Sequence, residues 1–176
     1  MCIRDSMKAS MEGGACISLM GNHDLFIYDE RNKIFCKNVD YNSYPTKREE
    51  LIKPGINMSS SLAITRPLIL VLGKYLFVHG GLTTNIIDKH GTLCDKITSL
   101  NHELSSWLVS GKNEPYWLYT DNNPTMNRTF SQGGTQEEFD TLLGMLPGIS
   151  KIIVGHTRVP MISSRFNGKL ISTDVG

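Results

Sequence analysis

Short apolar runs bounded by glycine alternate along this chain with amphipathic stretches of helical period, and the changes of period mark out its elements. Ala15-Cys16-Ile17-Ser18-Leu19-Met20, entered from Gly13-Gly14, reads as a buried strand. Pro67 to Leu72 and Tyr75 to Val78 read as two more, joined at Gly73-Lys74 by a hairpin or tight turn that delivers His79 at a strand end. A helix is expected over Thr84 to His90, ended by Gly91. A second is expected over Leu93 to Leu108, where Leu93, Ile97, Leu100, Leu104, Trp107 and Leu108 recur at intervals of three and four before Gly111. Gln136 to Leu146 is again amphipathic, and Lys151 to Val154, Met161 to Ser164 and Leu170 to Thr173 read as short strands.

The intervening stretches lack sustained periodicity. Residues 25 to 65 read as a polar surface excursion with one short helix, Thr46 to Ile52, ended by Lys53-Pro54-Gly55. Asn113 to Gly134, rich in Asn, Pro, Thr and Gly, reads as a long functional or connecting loop. Met1 to Ser6 carries neither period and is followed at once by Met7; it reads as a cloning or assembly scar and is set aside. Strands mixed with helices, with hairpins near both ends, predict an α/β fold: a layered α/β sandwich with mixed sheets rather than a doubly wound parallel sheet.

Composition narrows the function classes. With 176 residues, 40% of them hydrophobic, the chain can bury one sizeable core, so residues 7–176 are taken as one domain or a large piece of one. A formal net charge of +1 supplies no global field to draw it onto nucleic acid or an anionic membrane, so neither partner is expected and any phosphate recognition must be local. Cys2, Cys16, Cys36 and Cys94 show no paired spacing and are read as reduced thiols. No apolar stretch reaches the roughly 18 residues of a membrane span, and a cytoplasmic location is the expectation.

Three histidines stand where an apolar strand runs out into a glycine-flanked turn: Gly21-Asn22-His23-Asp24, Val78-His79-Gly80-Gly81 and Val154-Gly155-His156-Thr157. Strand ends fix their residues, and adjacent glycines leave room for a ligand or another loop to approach. His79 and His156 offer imidazole nitrogens and Asn22 a carbonyl oxygen, a mixture suited to Mn, Fe, Zn or Ni; Ca or Mg would want more carboxylates. Any one of these histidines could be an ordinary, internally satisfied side chain, and it is the repetition that points to a site.

These three motifs, in this order, resemble the third, fourth and last signatures of the calcineurin-like metallophosphoesterases. Gly13-Gly14, Pro54-Gly55, the Leu93 to Leu108 segment and the ending Ser172-Thr173-Asp174-Val175-Gly176 are similar to the bacterial-type, Shewanella-like branch of the phosphoprotein phosphatases. The resemblance implies a binuclear centre of two divalent ions (Mn, Fe or Zn), with Asn22, His79 and His156 holding one of them. It implies that His23 protonates the leaving alkoxide, that Asp24 and Asp174 support the site from behind, and that Arg128 clamps the phosphate through a planar fork. The implied reaction is direct hydrolysis of a phosphate monoester by metal-bound hydroxide, on a phosphoprotein of serine/threonine type or a small phosphate ester.

The family's Asp-x-His and Gly-Asp-x-x-Asp-Arg-Gly signatures are expected before Gly13, where nothing matches them. The chain is therefore read as a C-terminal fragment lacking the N-terminal part of the fold, with at most one metal site and little or no turnover of para-nitrophenyl phosphate alone. Asp24 stands where the family more often has Glu, and Met126 where its arginine motif has Trp. Two other readings remain: a phosphodiesterase or dinucleoside polyphosphate hydrolase of the same fold, and a non-catalytic binding module. A single structural zinc is disfavoured because no cysteine flanks the histidines.

Overall fold

A computed structural model describes residues 11–26, 65–87 and 90–175. In chain order the elements are helix α1 (Asn22–Phe26), strands β1 (Ile69–Leu72) and β2 (Tyr75–Val78), helices α2 (Leu93–Ser110), α3 (Thr129–Gln132) and α4 (Gln136–Gly144), and strands β3 (Lys151–Val154), β4 (Ser163–Arg165) and β5 (Leu170–Ser172). The strands form one five-stranded mixed sheet of order β1-β2-β3-β5-β4. The mixed α/β architecture is the one the sequence predicts.

The β1–β2 hairpin pairs Leu72 with Tyr75 across Gly73-Lys74, and Gly73 takes φ 58°, a left-handed conformation that a side chain would strain. β2, β3 and β5 are mutually parallel, with Val78 level with Val154 and Val154 level with Ser172. Side chains alternate across the pleat, so Leu76, Val78, Ile152, Val154 and Leu170 are buried on one face while Phe77, Ile153 and Ile171 are half-buried on the other. Phe130 and Phe139 belong to the same core; Phe139 stacks on Phe166 at 4.4 Å, and Phe130 meets both edge-on.

α2 starts at Thr92, whose hydroxyl accepts from the Asp95 amide while the Asp95 carboxylate accepts from the Thr92 amide, and it stops at Gly111 with φ 69°. Its apolar stripe, Ile97, Leu100, Leu104, Trp107 and Leu108, is buried, and the helix packs on β1. Asn101 on this helix bonds both the amide and the carbonyl of Ile69 at 2.9 Å, satisfying part of the outer edge of β1. Buried Lys96 donates to the Met145 carbonyl at 2.9 Å, tying α2 to the end of α4.

Several expectations are corrected. Residues 15 to 20 form no ladder among the described residues: Ile17 is 46% exposed, Cys16 is half-buried, and only Met20 is buried, its amide donating to the Pro67 carbonyl. An apolar run becomes a strand only where a neighbour takes its backbone groups. Residues 84 to 87 form turns rather than the start of a helix, because a segment this short cannot repay helix nucleation before Gly91 (φ 81°) interrupts it. The strand expected over Met161 to Ser164 is displaced to Ser163–Arg165, leaving Met161 and Ile162 exposed. The 113 to 134 loop contains the one-turn helix α3. The expected helix at Thr46 to Ile52, the scar at residues 1–6, and Cys2 and Cys36 lie outside the described residues. No described helix is long and apolar enough to cross a membrane.

Candidate functional site

The parallel register of β2 and β3 brings two histidines together. With Val78 and Val154 level, His79 follows β2 directly and His156 follows β3 by two residues, at the carboxyl edge of the sheet. The Gly155 amide donates to the His79 carbonyl at 2.9 Å, joining the two turns, and the imidazole centroids lie 5.1 Å apart. His156 has φ 59°, and around it the Thr157 amide donates to the Gly155 carbonyl at 2.6 Å. This is a three-residue turn of positive φ, a strained arrangement that aims the ring and that persists only where its surroundings enforce it.

The third donor comes from a different element. Asn22 opens α1 and is 6% exposed; its Oδ1 lies 2.9 Å from His79 Nε2. Asp24, third residue of that helix, reaches back to accept from the Gly21 amide at 2.9 Å, a one-sided capping box. Its other oxygen pairs with Arg66, which stands just before the Pro67 that holds Met20. The ring of His79 packs against Gly21, where an added Cβ would sit 3.4 Å from Cε1 and Nδ1. Asp24 thus has the partner that its sequence context did not reveal; Arg66 was missed because 42 residues separate the pair and no local pattern joins them.

Electrostatics keep both imidazoles neutral near pH 7. Burial depresses the pKa of His156 to about 4, with the charge of Arg128 and then that of His79 adding to the effect and Asp174 opposing it. Burial also lowers His79, against the carboxylates of Asp24 and Asp174. His156 Nε2 is buried without a hydrogen-bond partner, so its nitrogen is neither solvated nor satisfied by protein. Positive charge on exposed His23, on α1, or on Arg128 disfavours protonation of both rings. Asp174, two residues beyond β5, accepts the Val159 amide on its backbone carbonyl at 2.8 Å.

Arg128 precedes α3 and is exposed. Its loop is built from asparagines: Asn123 accepts from the Thr125 amide and donates to the Leu118 carbonyl, and Asn127 donates to the Asp121 carbonyl and accepts from the Thr129 amide. The loop docks on the turn after His79, where the amides of Gly80 and Gly81 both donate to the Pro124 carbonyl, at 2.8 and 3.0 Å. A cavity of about 810 Å³ opens beside Arg128, lined also by Leu25, Trp107, Tyr119, Asp121 and Met126; Asn22, His79 and His156 do not line it.

The donors fit a divalent cation. Two ligand atoms each 2.0–2.1 Å from one ion, at about a right angle, lie about 3 Å apart, and Asn22 Oδ1 and His79 Nε2, hydrogen-bonded to each other at 2.9 Å, already stand at that separation. A neutral, unpartnered His156 Nε2 beside them suits a third donor. Among the described residues no group of three or more His, Cys, Asp or Glu is placed to hold a metal ion, so the set depends on the asparagine.

A sequence model of calcineurin-like phosphoesterases matches residues 3–160. A protein of Acanthamoeba polyphaga mimivirus is 29% identical over 85% of this chain and 72% of its own length. Shewanella-like protein phosphatase 2 of Arabidopsis thaliana is 28% identical over 61% of this chain and 28% of its own. The solved structure of a cold-active protein-tyrosine phosphatase from a psychrophilic Shewanella species superposes with a TM-score of 0.65 at 24% identity, covering 96% of this chain and 52% of that one. The chain therefore spans about half the length of the solved phosphatase it matches.

Proposed function

From its membership of the calcineurin-like phosphoesterase family, to which this chain belongs, we propose that these residues belong to an enzyme that hydrolyses phosphate monoesters of serine/threonine phosphoproteins at a binuclear metal centre, and that they hold one of its divalent cations through Asn22, His79 and His156, with little turnover of their own. The observation that carries the reading is the convergence of Asn22 Oδ1 and His79 Nε2 at 2.9 Å beside the unpartnered Nε2 of His156. When bound, such an ion supplies Lewis acidity towards a phosphate oxygen and lowers the pKa of water. Mn, Fe and Zn all suit this nitrogen and oxygen set. The second ion of the binuclear centre needs further donors than these three.

The remaining roles fall to side chains around the pair. Arg128 offers two parallel N–H donors to phosphate oxygens and offsets their charge. His23 stands on the exposed turn of α1 and gives a proton to the departing alkoxide. Asp24 holds Gly21 and Arg66 and so sets the pitch of α1, on which both Asn22 and His23 ride. Asp174 favours cation binding through its charge.

Titration of the chain with Mn²⁺, followed by the loss of the free-ion electron paramagnetic resonance signal, tests the cation site. One ion per chain is expected, with binding lost in both His79→Ala and His156→Ala. Undiminished binding in both variants would remove the site. The serine/threonine assignment is tested at high chain concentration with otherwise identical phosphoserine and phosphotyrosine peptides; preference for phosphotyrosine overturns that assignment and leaves the cation site standing.

A further inference from the structure

The arginine loop is tied to both histidine turns, but in different ways. On the His79 side the ties are backbone amides, those of Gly80 and Gly81 on the Pro124 carbonyl. On the His156 side the tie is a pair of hydroxyls: Thr157, 6% exposed and next in sequence to His156, places Oγ1 2.8 Å from Ser131 Oγ on α3. Ser131 Oγ also lies 3.2 Å from the Arg128 carbonyl.

Proton bookkeeping orders this chain. Each hydroxyl carries one proton, and a carbonyl can only accept. The Ser131 proton therefore goes to the Arg128 carbonyl, and Thr157 must donate to Ser131. A polarised sequence of bonds runs from the residue after His156 to the backbone of Arg128. α3 is four residues long and cannot hold its own position; Phe130 anchors it in the core, and these hydroxyls set its lateral placement against the His156 turn.

We infer that Thr157 and Ser131 are positioning residues that register Arg128 against His156. The inference rests on the reading of Arg128 as the phosphate-binding arginine. It assigns to Thr157 a role that its place inside the last signature motif does not explain, and to Ser131 a role that no motif marks.

The test measures binding of inorganic phosphate to the chain in saturating Mn²⁺ by calorimetry, with Mn²⁺ affinity measured separately. Thr157→Val, which keeps the shape and loses the hydroxyl, is expected to weaken phosphate binding about threefold to tenfold, the scale of one neutral hydrogen bond. Mn²⁺ affinity should stay within about twofold, since none of the three cation donors is touched. Thr157→Ser should restore phosphate binding, and Ser131→Ala should reproduce the Thr157→Val loss with no further loss in the double variant. Unchanged phosphate binding in Thr157→Val overturns the inference, as does failure of Thr157→Ser to rescue, which would mark a packing role, or a parallel fall in Mn²⁺ affinity. Should Thr157→Val fail to fold, Ser131→Ala carries the same comparison. Arg128→Ala is the control: if it leaves phosphate binding unchanged, the proposed role of Arg128 falls and this inference with it, whereas a loss there without one in Thr157→Val refutes the inference alone.

Discussion

Replacing Gly80 by alanine should damage this protein far more than its position in an unremarkable turn suggests. A Cβ at residue 80 would meet the Pro124 carbonyl oxygen at 2.8 Å, the Thr125 carbonyl carbon at 2.9 Å and the Asn127 amide at 3.0 Å. All three are backbone atoms, so no rotamer change relieves the clash, and the arginine loop must retreat by about 0.5 Å to reach ordinary contact. Overpacking of this kind costs about 1–3 kcal/mol. The retreat also stretches the two bonds from Gly80 and Gly81 to Pro124, each worth about 0.5–1.5 kcal/mol net. A loss of about 2–4 kcal/mol is expected, a large share of the about 5–15 kcal/mol that holds a typical domain. Urea unfolding followed by the fluorescence of buried Trp107 and Trp117 should show the midpoint fall by about 1–2 M, for a slope of about 2 kcal/mol per M. Gly144→Ala is the internal control: nothing lies within 4 Å of its added Cβ at the end of α4, so it should be neutral or slightly stabilising. A Gly80→Ala midpoint indistinguishable from wild type, or an equal fall in Gly144→Ala, would refute the close-approach argument.

Two further outcomes follow from the same geometry. Because folding lowers the pKa of His156 to about 4 from the usual 6.5, the unfolded chain binds the extra proton between those values; the stability is fully present above about pH 6.5 and is lost as pH falls towards 4. His79 acts in the same direction. Allowing for screening of a partly exposed ring, His156 contributes on the order of 1–2 kcal/mol, so thermal melts of His156→Gln should fall less steeply over that range; parallel slopes would contradict the burial argument. Thr92→Ala removes the hydroxyl half of the capping box on α2 and should lower Tm by about 2–4 °C, read by circular dichroism; an unchanged Tm would mean that the cap adds nothing to the packed helix.

Elements governed by nearest neighbours were legible from the chain alone. The β1–β2 hairpin follows from two apolar runs about a glycine, and α2 from the three-and-four spacing of Leu93 to Leu108 before Gly111. The candidate donors Asn22, His79 and His156 were also legible, as turns at the ends of apolar runs, because those signals act within a few residues. Residues 15 to 20, which pair with no strand among the described residues, and residues 84 to 87 misled for the complementary reason: an apolar run does not say which segment will pair with it, and a few helix-compatible residues do not say whether nucleation is repaid.

Only the tertiary structure decided how the candidate site is assembled. The level register of Val78 with Val154 sets His79 beside His156, the Arg66–Asp24 pair braces the helix carrying Asn22, and the Thr157–Ser131 contact joins two segments 26 residues apart. Such relations arise from strand pairing and side-chain meetings between distant segments, where the one-dimensional pattern names the groups but not their distances. Chemistry at the residue level is written along the chain; the 2.9 Å approach of Asn22 Oδ1 to His79 Nε2 exists only once α1 has docked beside the end of β2.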